Sequence, residues 1–238
     1  MNLLAVDTSA SACSAALMNK GRVRAEFFAD FDQTHARHVM ELVHSVLASA
    51  GIEAKDIDAY GVTRGPGSFT GLRIGIATVK GLALAYDRPA AGISSLFALA
   101  HPLRASAGLV CSVIDARKAE VYTEAYRFSG AGHEAVLDAR VCSAGELINQ
   151  IRGLGEHCLF TGTGAELYKD SISQELGELA SFAPASCRHI RAASVAELAY
   201  SRITSGKAPD PAGLVPCYIR RSDAERARKP LPATDAAE

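Results

Sequence analysis

Two aspartates stand where short apolar runs stop. Asp7 closes LLAVD and is followed by TSAS, and Asp115 closes LVCSVID and is followed by ARKA. A carboxylate at a strand end, next to hydroxyls such as those of Thr8 and Ser9, can hold magnesium, while the amides of the following turn wrap a phosphate. Between the two lies GPGSFTGLRIG, residues 65–75, and GTG at 162–164 offers a shorter glycine turn. Asp7, Thr8, Ser9, Asp115, Gly162 and Gly164 therefore form a candidate nucleotide-binding set, but a degraded one. Neither DTSAS nor DARKA contains the glycine that would let successive amides close round a phosphate. The aspartates serve equally as strand-end caps and turn formers, and GTG as a strand-to-helix turn.

Spacing tests the long glycine run. A Walker A loop needs lysine directly after its last glycine, but Leu72 follows Gly71 and Ser68 follows Gly67. A nucleophile elbow needs glycines two residues either side of serine, where Ser68 has Pro66 and Thr70. A dinucleotide fingerprint fits the order strand, glycines, helix, yet Pro66 removes an amide donor and the strand PAAGIS ends without a ribose-binding acid. His35 and His38, spaced i,i+3, have no third ligand placed by sequence, so no metal is expected. No catalytic residue is assigned.

The glycines make better sense as packing. Gly65 and Gly67 permit a sharp turn, Ser68 or Thr70 can cap the following helix, and Gly71, Gly75, Thr78, Gly81, Leu82 and Ala85 put small groups along one side. Each interior helix glycine costs up to about 1 kcal/mol relative to alanine, so close packing must offset it. The neighbour is either the preceding helix of the same lobe or a helix of another chain.

The elements that position these residues come in two similar halves. Strand LLAVDT, strand CSAALMN, a turn at NKG and strand RVRAEFFADF form a meander; THARHVMELVHSVLASA is a helix with Thr34 at its start and Gly51 at its end. Strand IDAYGVTR, a helix from about Thr70 to Tyr86, strand PAAGIS and helix SLFALAHP complete the half. From LVCSVID onward the order recurs, through EAVLDARV (a weak strand), SAGELINQI capped by Ser143, HCLFTGTG, AELYKD, ELASFAP and RAASVAELAYSRIT. Each half spells β-β-β-α-β-α-β-α, pairing Asp7 with Asp115 and Gly65 with Gly162. This is an α/β chain with the plan of the two-lobed, duplicated actin/Hsp70/sugar-kinase (ASKHA) superfold, each lobe a mixed sheet with flanking helices. The expected units are residues 1–104, residues 105–206 and a Pro- and charge-rich tail, 207–238, partly disordered.

Bulk composition narrows function. With 238 residues the chain suits two lobes. Its formal net charge of −1 and pI near 6.7 provide no field that would draw it onto nucleic acid. Arg220, Arg221, Arg226, Arg228 and Lys229 are locally basic, which supports only weak, salt-sensitive RNA contact. The amino terminus has no basic, apolar leader, so a cytoplasmic protein away from membranes is expected. Six cysteines without a C-x-x-C pair point to buried thiols rather than zinc or disulfides.

LLAVDTS, GPGSFTGLRIG with the helix TVKGLALAY, SSLFALA, DARKAEVY and PCYIRR closely resemble the TsaB (YeaZ) family over nearly the whole chain. The resemblance implies a non-catalytic partner of TsaD in forming N6-threonylcarbamoyladenosine at position 37 of tRNAs reading codons that begin with A. It implies a heterodimer with TsaD through first-lobe helices, work with the ATPase TsaE, tRNA met through the complex, and a homodimer when TsaD is absent. It further implies that no cofactor is held firmly and that ATP or ADP could bind only in the assembled complex. The interface expected from it comprises His35, Val39, Met40, Val43, Gly71, Ile74, Gly75, Thr78 and Leu82. TsaD-like members hold metal with an H-x-x-x-H pair, whereas here Val39 lies four residues after His35 and Leu42 four after His38. The competing reading is an ATP-binding phosphotransferase or glycoprotease-like enzyme acting alone.

Overall fold

The computed structural model describes residues 1–30, 38–130, 132–207 and 210–220, and these form two five-stranded sheets. The first is built from β1 (Asn2–Asp7), β2 (Ala12–Asn19), β3 (Arg22–Asp30), β4 (Ala59–Gly65) and β5 (Ala90–Ser94), in the order β3-β2-β1-β4-β5. The second uses β6 (Leu109–Asp115), β7 (Glu120–Ser129), β8 (Gly132–Ser143), β9 (Cys158–Thr161) and β10 (Ala180–Phe182), in the order β10-β9-β6-β7-β8. Counted within each half, the order is identical. β1 and β6 both run antiparallel to the next strand and parallel to the fourth, so Asp7 and Asp115 occupy equivalent carboxyl-terminal strand ends. The duplicated two-lobed α/β plan expected from the sequence is present.

The apolar periods account for the helices. In α1 (Val39–Ala50), Val39, Val43, Val46 and Leu47 turn inward, and Gly51 closes the helix in the left-handed region at φ 64°. The proposed cap, Thr34, lies outside the described residues. In α2 (Phe69–Ala85), Ser68 caps by accepting from the Gly71 amide at 3.2 Å. α3 (Ser95–Ala100) ends the first half, and α4 (Ala144–Leu154), α5 (Thr163–Leu167), α6 (Lys169–Leu176) and α7 (Ala192–Thr204) belong to the second half in sequence. Ser143 and Glu146 cap α4 reciprocally.

Two elements depart from the sequence reading. EAVLDARV forms part of a twelve-residue strand, because β8 pairs with almost the whole of β7. Its outer side carries Glu134, Asp138 and Arg140, charges suited to an unpaired sheet edge. α7 does not stay with the second sheet. Val195, Ala196 and Ala199 pack on Leu3, Ala5, Ala59 and Ala91 of the first sheet, in a cluster joined by Ile114 and Tyr122 of the second. Alanines at these crossings bring helix and sheet close together, and burying Val195 alone contributes about 2 kcal/mol. The lobes thus share one inter-lobe core. No helix among the described residues is long and apolar enough to cross a membrane.

Candidate functional site

The strand-end aspartate of the first lobe is closed off by its own lobe. Asp7 is 1% exposed, and its Oδ1 accepts from the Ser9 amide at 3.2 Å, the Ser9 hydroxyl at 2.6 Å and the Thr63 hydroxyl at 2.5 Å. The turn that would meet a phosphate is instead packed on the glycine run. Thr8 donates its hydroxyl to the Gly71 carbonyl at 2.7 Å, and the Ser68 amide donates to the Ser9 carbonyl at 2.7 Å. Thr8 and Ser9 are both buried. Thr63, two residues before Gly65 on β4, is a member of this network that its sequence context gave no reason to select.

Burial raises the Asp7 carboxyl above its ordinary 3.8, against the opposing pull of the Ser9 and Thr63 hydrogen bonds. The folded protein then holds this proton more tightly than the unfolded chain. The associated stability is full below about pH 3.8 and is lost as pH rises through the raised folded value. Asp7→Asn is therefore expected to melt no lower than the unmodified protein near neutral pH, with its relative advantage shrinking on acidification. Thermal denaturation across pH measures this; a large loss of stability in the variant at neutral pH would show that the ionised carboxylate is needed.

In the second lobe Asp115 is only partly buried. Its Oδ1 accepts from the Arg117 amide at 2.8 Å, and its own amide donates to Thr163 Oγ1 at 3.2 Å. Arg117, Lys118 and Ala119 take three successive left-handed conformations in this turn, with φ of 60°, 56° and 60°. Gly162 and Gly164 sit against β6: a Cβ at Gly162 would lie 2.2 Å from the Val113 carbonyl oxygen, and one at Gly164 would lie 2.8 Å from Val113 Cγ1. Both glycines thus serve the approach of β9 and α5 to β6.

A strap unforeseen in the tail crosses this region. Leu214 is buried in the first-lobe core, the Cys217 amide donates to the Arg64 carbonyl at 2.6 Å, and Tyr218 stacks on Phe69 with centroids 4.4 Å apart. The Arg73 Nε donates to the Tyr218 hydroxyl at 3.0 Å. Gly65 is needed beneath it, because a Cβ there would lie 2.3 Å from the Cys217 carbonyl oxygen. Arg220 then reaches the second lobe, donating to the Ala116 carbonyl at 3.0 Å and pairing with Glu120 at 2.8 Å. At 7% exposure it is not available to an RNA phosphate, which corrects its place in the basic cluster; Arg221, Arg226, Arg228 and Lys229 lie outside the described residues. Arg220→Ala is expected to cost about 1–2 kcal/mol, less than for a fully buried pair because the Glu120 side chain left behind is 32% exposed. It should also speed chymotrypsin cleavage at Tyr218, and unchanged digestion would show that the strap holds without it.

The face of α1 and α2 is divided. Val39 and Val43 are buried in the core of the lobe, and Gly71 and Gly75 are covered by Thr8. Val39, Gly71 and Gly75 are corrected as expected interface residues, since their contacts are within the lobe: a Cβ would meet the Thr8 carbonyl oxygen at 2.0 Å from Gly71 and Thr8 Oγ1 at 2.4 Å from Gly75, whereas Val43, though buried, also lines the slot between the helices. Met40 is 49% exposed, and Ile74, Thr78 and Leu82 are partly exposed; His35 lies outside the described residues. Between the helices opens an apolar slot of about 170 Å³ lined by Met40, Val43, His44, Leu47 and Leu82, with Tyr60 among its walls. The Tyr60 hydroxyl is buried without a hydrogen-bond partner, and burial pushes its pKa up to about 12. Among the described residues, no three His, Cys, Asp or Glu side chains gather as a metal site. All six cysteines are free thiols, and burial pushes Cys13 up to about 12.

Residues 29–228 match the family described as TsaD, tRNA N6-adenosine threonylcarbamoyltransferase. The tRNA threonylcarbamoyladenosine biosynthesis protein TsaB of Bacillus subtilis is 32% identical over 225 residues, 94% of this chain and 96% of its own. The chain belongs to the TsaB family. A solved Pseudomonas aeruginosa protein, described as similar to the peptidase YeaZ, superposes with a TM-score of 0.78 at 29% identity, covering 92% of this chain and 99% of that one. The ROK hexokinase of Thermus thermophilus shares the fold alone, with a TM-score of 0.51 at 12% identity over 86% of this chain and 100% of its own. TsaB membership agrees with the motif resemblance read from LLAVDTS, GPGSFTGLRIG and PCYIRR, and the hexokinase likeness with the ASKHA plan.

Proposed function

We propose that this chain is a non-catalytic partner of TsaD in forming N6-threonylcarbamoyladenosine at position 37 of tRNAs reading codons that begin with A. The observation that carries the reading is a contrast between two surfaces. The strand-end carboxylate, where a kinase of this fold would do its work, is buried and bonded to its own lobe, while an apolar slot between α1 and α2 is left open. An open apolar slot beside an exposed methionine suits a protein partner. TsaD, a paralogue, would present an equivalent pair of helices, giving a four-helix contact. A second copy of this chain would occupy the face when TsaD is absent.

TsaE is the accompanying ATPase, tRNA is met through the complex in the cytoplasm, and no cofactor is held firmly by this chain, any ATP or ADP being bound only in the assembled complex. Reconstitution with TsaD, TsaE, threonylcarbamoyl-adenylate and tRNA tests this. Modification is expected only when this chain is present, with no ATP turnover by the chain alone. Full modification without it, or ATP or peptide turnover that Asp7→Ala abolishes, would favour an independent enzyme.

A further inference from the structure

On the side of the second sheet facing α3 and α7 there is a cavity of about 370 Å³ between the lobes. Volumes of this size hold small organic ligands. Its walls include Phe97 from α3, Glu124 and Tyr126 from β7, His133 from β8, and Leu198 and Arg202 from α7. Glu124 stands opposite Ser112 of the central strand β6, and Tyr126 opposite Val110, so the two lie two residues apart on one side of β7.

Three features define what would fit. The rings of Phe97, Tyr126 and His133 cluster, with Phe97 4.2 Å from His133 and 5.3 Å from Tyr126 between centroids. The Tyr126 hydroxyl, in a residue only 2% exposed, is buried beside the Glu124 carboxyl and interacts with it. Glu124 is half-buried, and among the described residues it forms no ion pair. Burial raises its pKa against the opposing pull of the Tyr126 hydroxyl, and Asp138 adds to the rise. Arg202 is exposed, and its guanidinium donates to the carbonyls of Gly92 at 3.1 Å and Lys207 at 3.3 Å. The less solvated charge in the wall is therefore negative and has no cationic partner among the described residues, beside aromatic faces that attract positive charge.

We propose that this inter-lobe cavity binds a small organic ammonium ion, held by the Glu124 carboxylate against the rings of Phe97, Tyr126 and His133. An anion would instead meet Glu124 at close range. A neutral apolar molecule would leave the carboxylate unpaired.

Isothermal titration of the intact protein with choline, tetramethylammonium and butylammonium chlorides tests this, beside 3,3-dimethyl-1-butanol, the uncharged carbon isostere of choline. At least one ammonium ion is expected to bind below about 10 mM, with choline at least about tenfold tighter than its isostere. Glu124→Gln, which removes a half-buried charge, is expected to fold and to lose at least about tenfold in ammonium affinity. Phe97→Leu should weaken binding while keeping an apolar wall. Equal binding of choline and its isostere would overturn the proposal without reliance on any variant. So would no heat from all three ammonium ions, or ammonium binding unchanged in a folded Glu124→Gln protein.

Discussion

Replacing Gly71 with leucine is expected to leave no folded protein, and even Gly71→Ala is expected to lose about 3 kcal/mol or more. The atom in the way is backbone. A Cβ at Gly71 would stand 2.0 Å from the Thr8 carbonyl oxygen, which is fixed by the end of β1 and cannot swing aside. Thr8 is itself tied to the Gly71 carbonyl, so moving α2 away breaks a buried hydrogen bond as well. Gly75→Ala meets a side-chain hydroxyl at 2.4 Å, together with Val62 Cγ2 at 3.4 Å, and should be the milder of the two.

Gly81 supplies the internal control. It lies on the same helix, about 80° round from Gly71 at 100° per residue, and nothing stands within 4 Å of its added Cβ. Gly81→Ala should therefore be neutral or stabilise by up to about 1 kcal/mol. Urea or thermal melts of the three alanine variants check the order. Equal stabilities would mean that α2 does not pack this closely on the end of β1.

The second large effect concerns association. Met40→Asp places a carboxylate at the mouth of the slot between α1 and α2, where a docked partner would strip it of water. Binding to TsaD is expected to weaken by about a hundredfold, roughly 3 kcal/mol, with little change in melting temperature because Met40 is half exposed in the free chain. Leu84→Asp is the comparison. Leu84 is also exposed, but it lies about 200° round α2 from Leu82 and does not line the slot, so its variant should bind as the unmodified chain does. Surface-bound TsaD titrated with each variant measures both. If Met40→Asp binds normally, the partner uses another face.

The repeated strand order and the aspartates at equivalent strand ends were legible because apolar runs stop at polar residues in both halves, and that needs only local information. The glycine run was legible as a place of close packing but not as to its neighbour. Gly71 meets Thr8 across 63 residues of chain, and nothing in the helix's own period distinguishes Thr8 from a helix of another molecule. The same holds for Val39 and Val43, which share a helix with exposed Met40 yet turn inward. Arg220 read as part of a solvated basic tail because its carboxylate, Glu120, and its carbonyl, Ala116, lie about a hundred residues earlier and give no local mark. The inter-lobe cavity was invisible for a related reason: Phe97, Glu124 and Arg202 each sit in an ordinary amphipathic pattern and converge only when the lobes meet.

Because α7 roofs the first sheet, the amino-terminal half is not a unit that can mature on its own. During synthesis, Leu3, Ala5, Ala59 and Ala91 emerge long before Val195, Ala196 and Ala199, so one side of that sheet stays bare until nearly the entire chain has left the ribosome. Leu214 completes the opposite side later still. The nascent protein must guard this uncovered apolar surface for most of its translation.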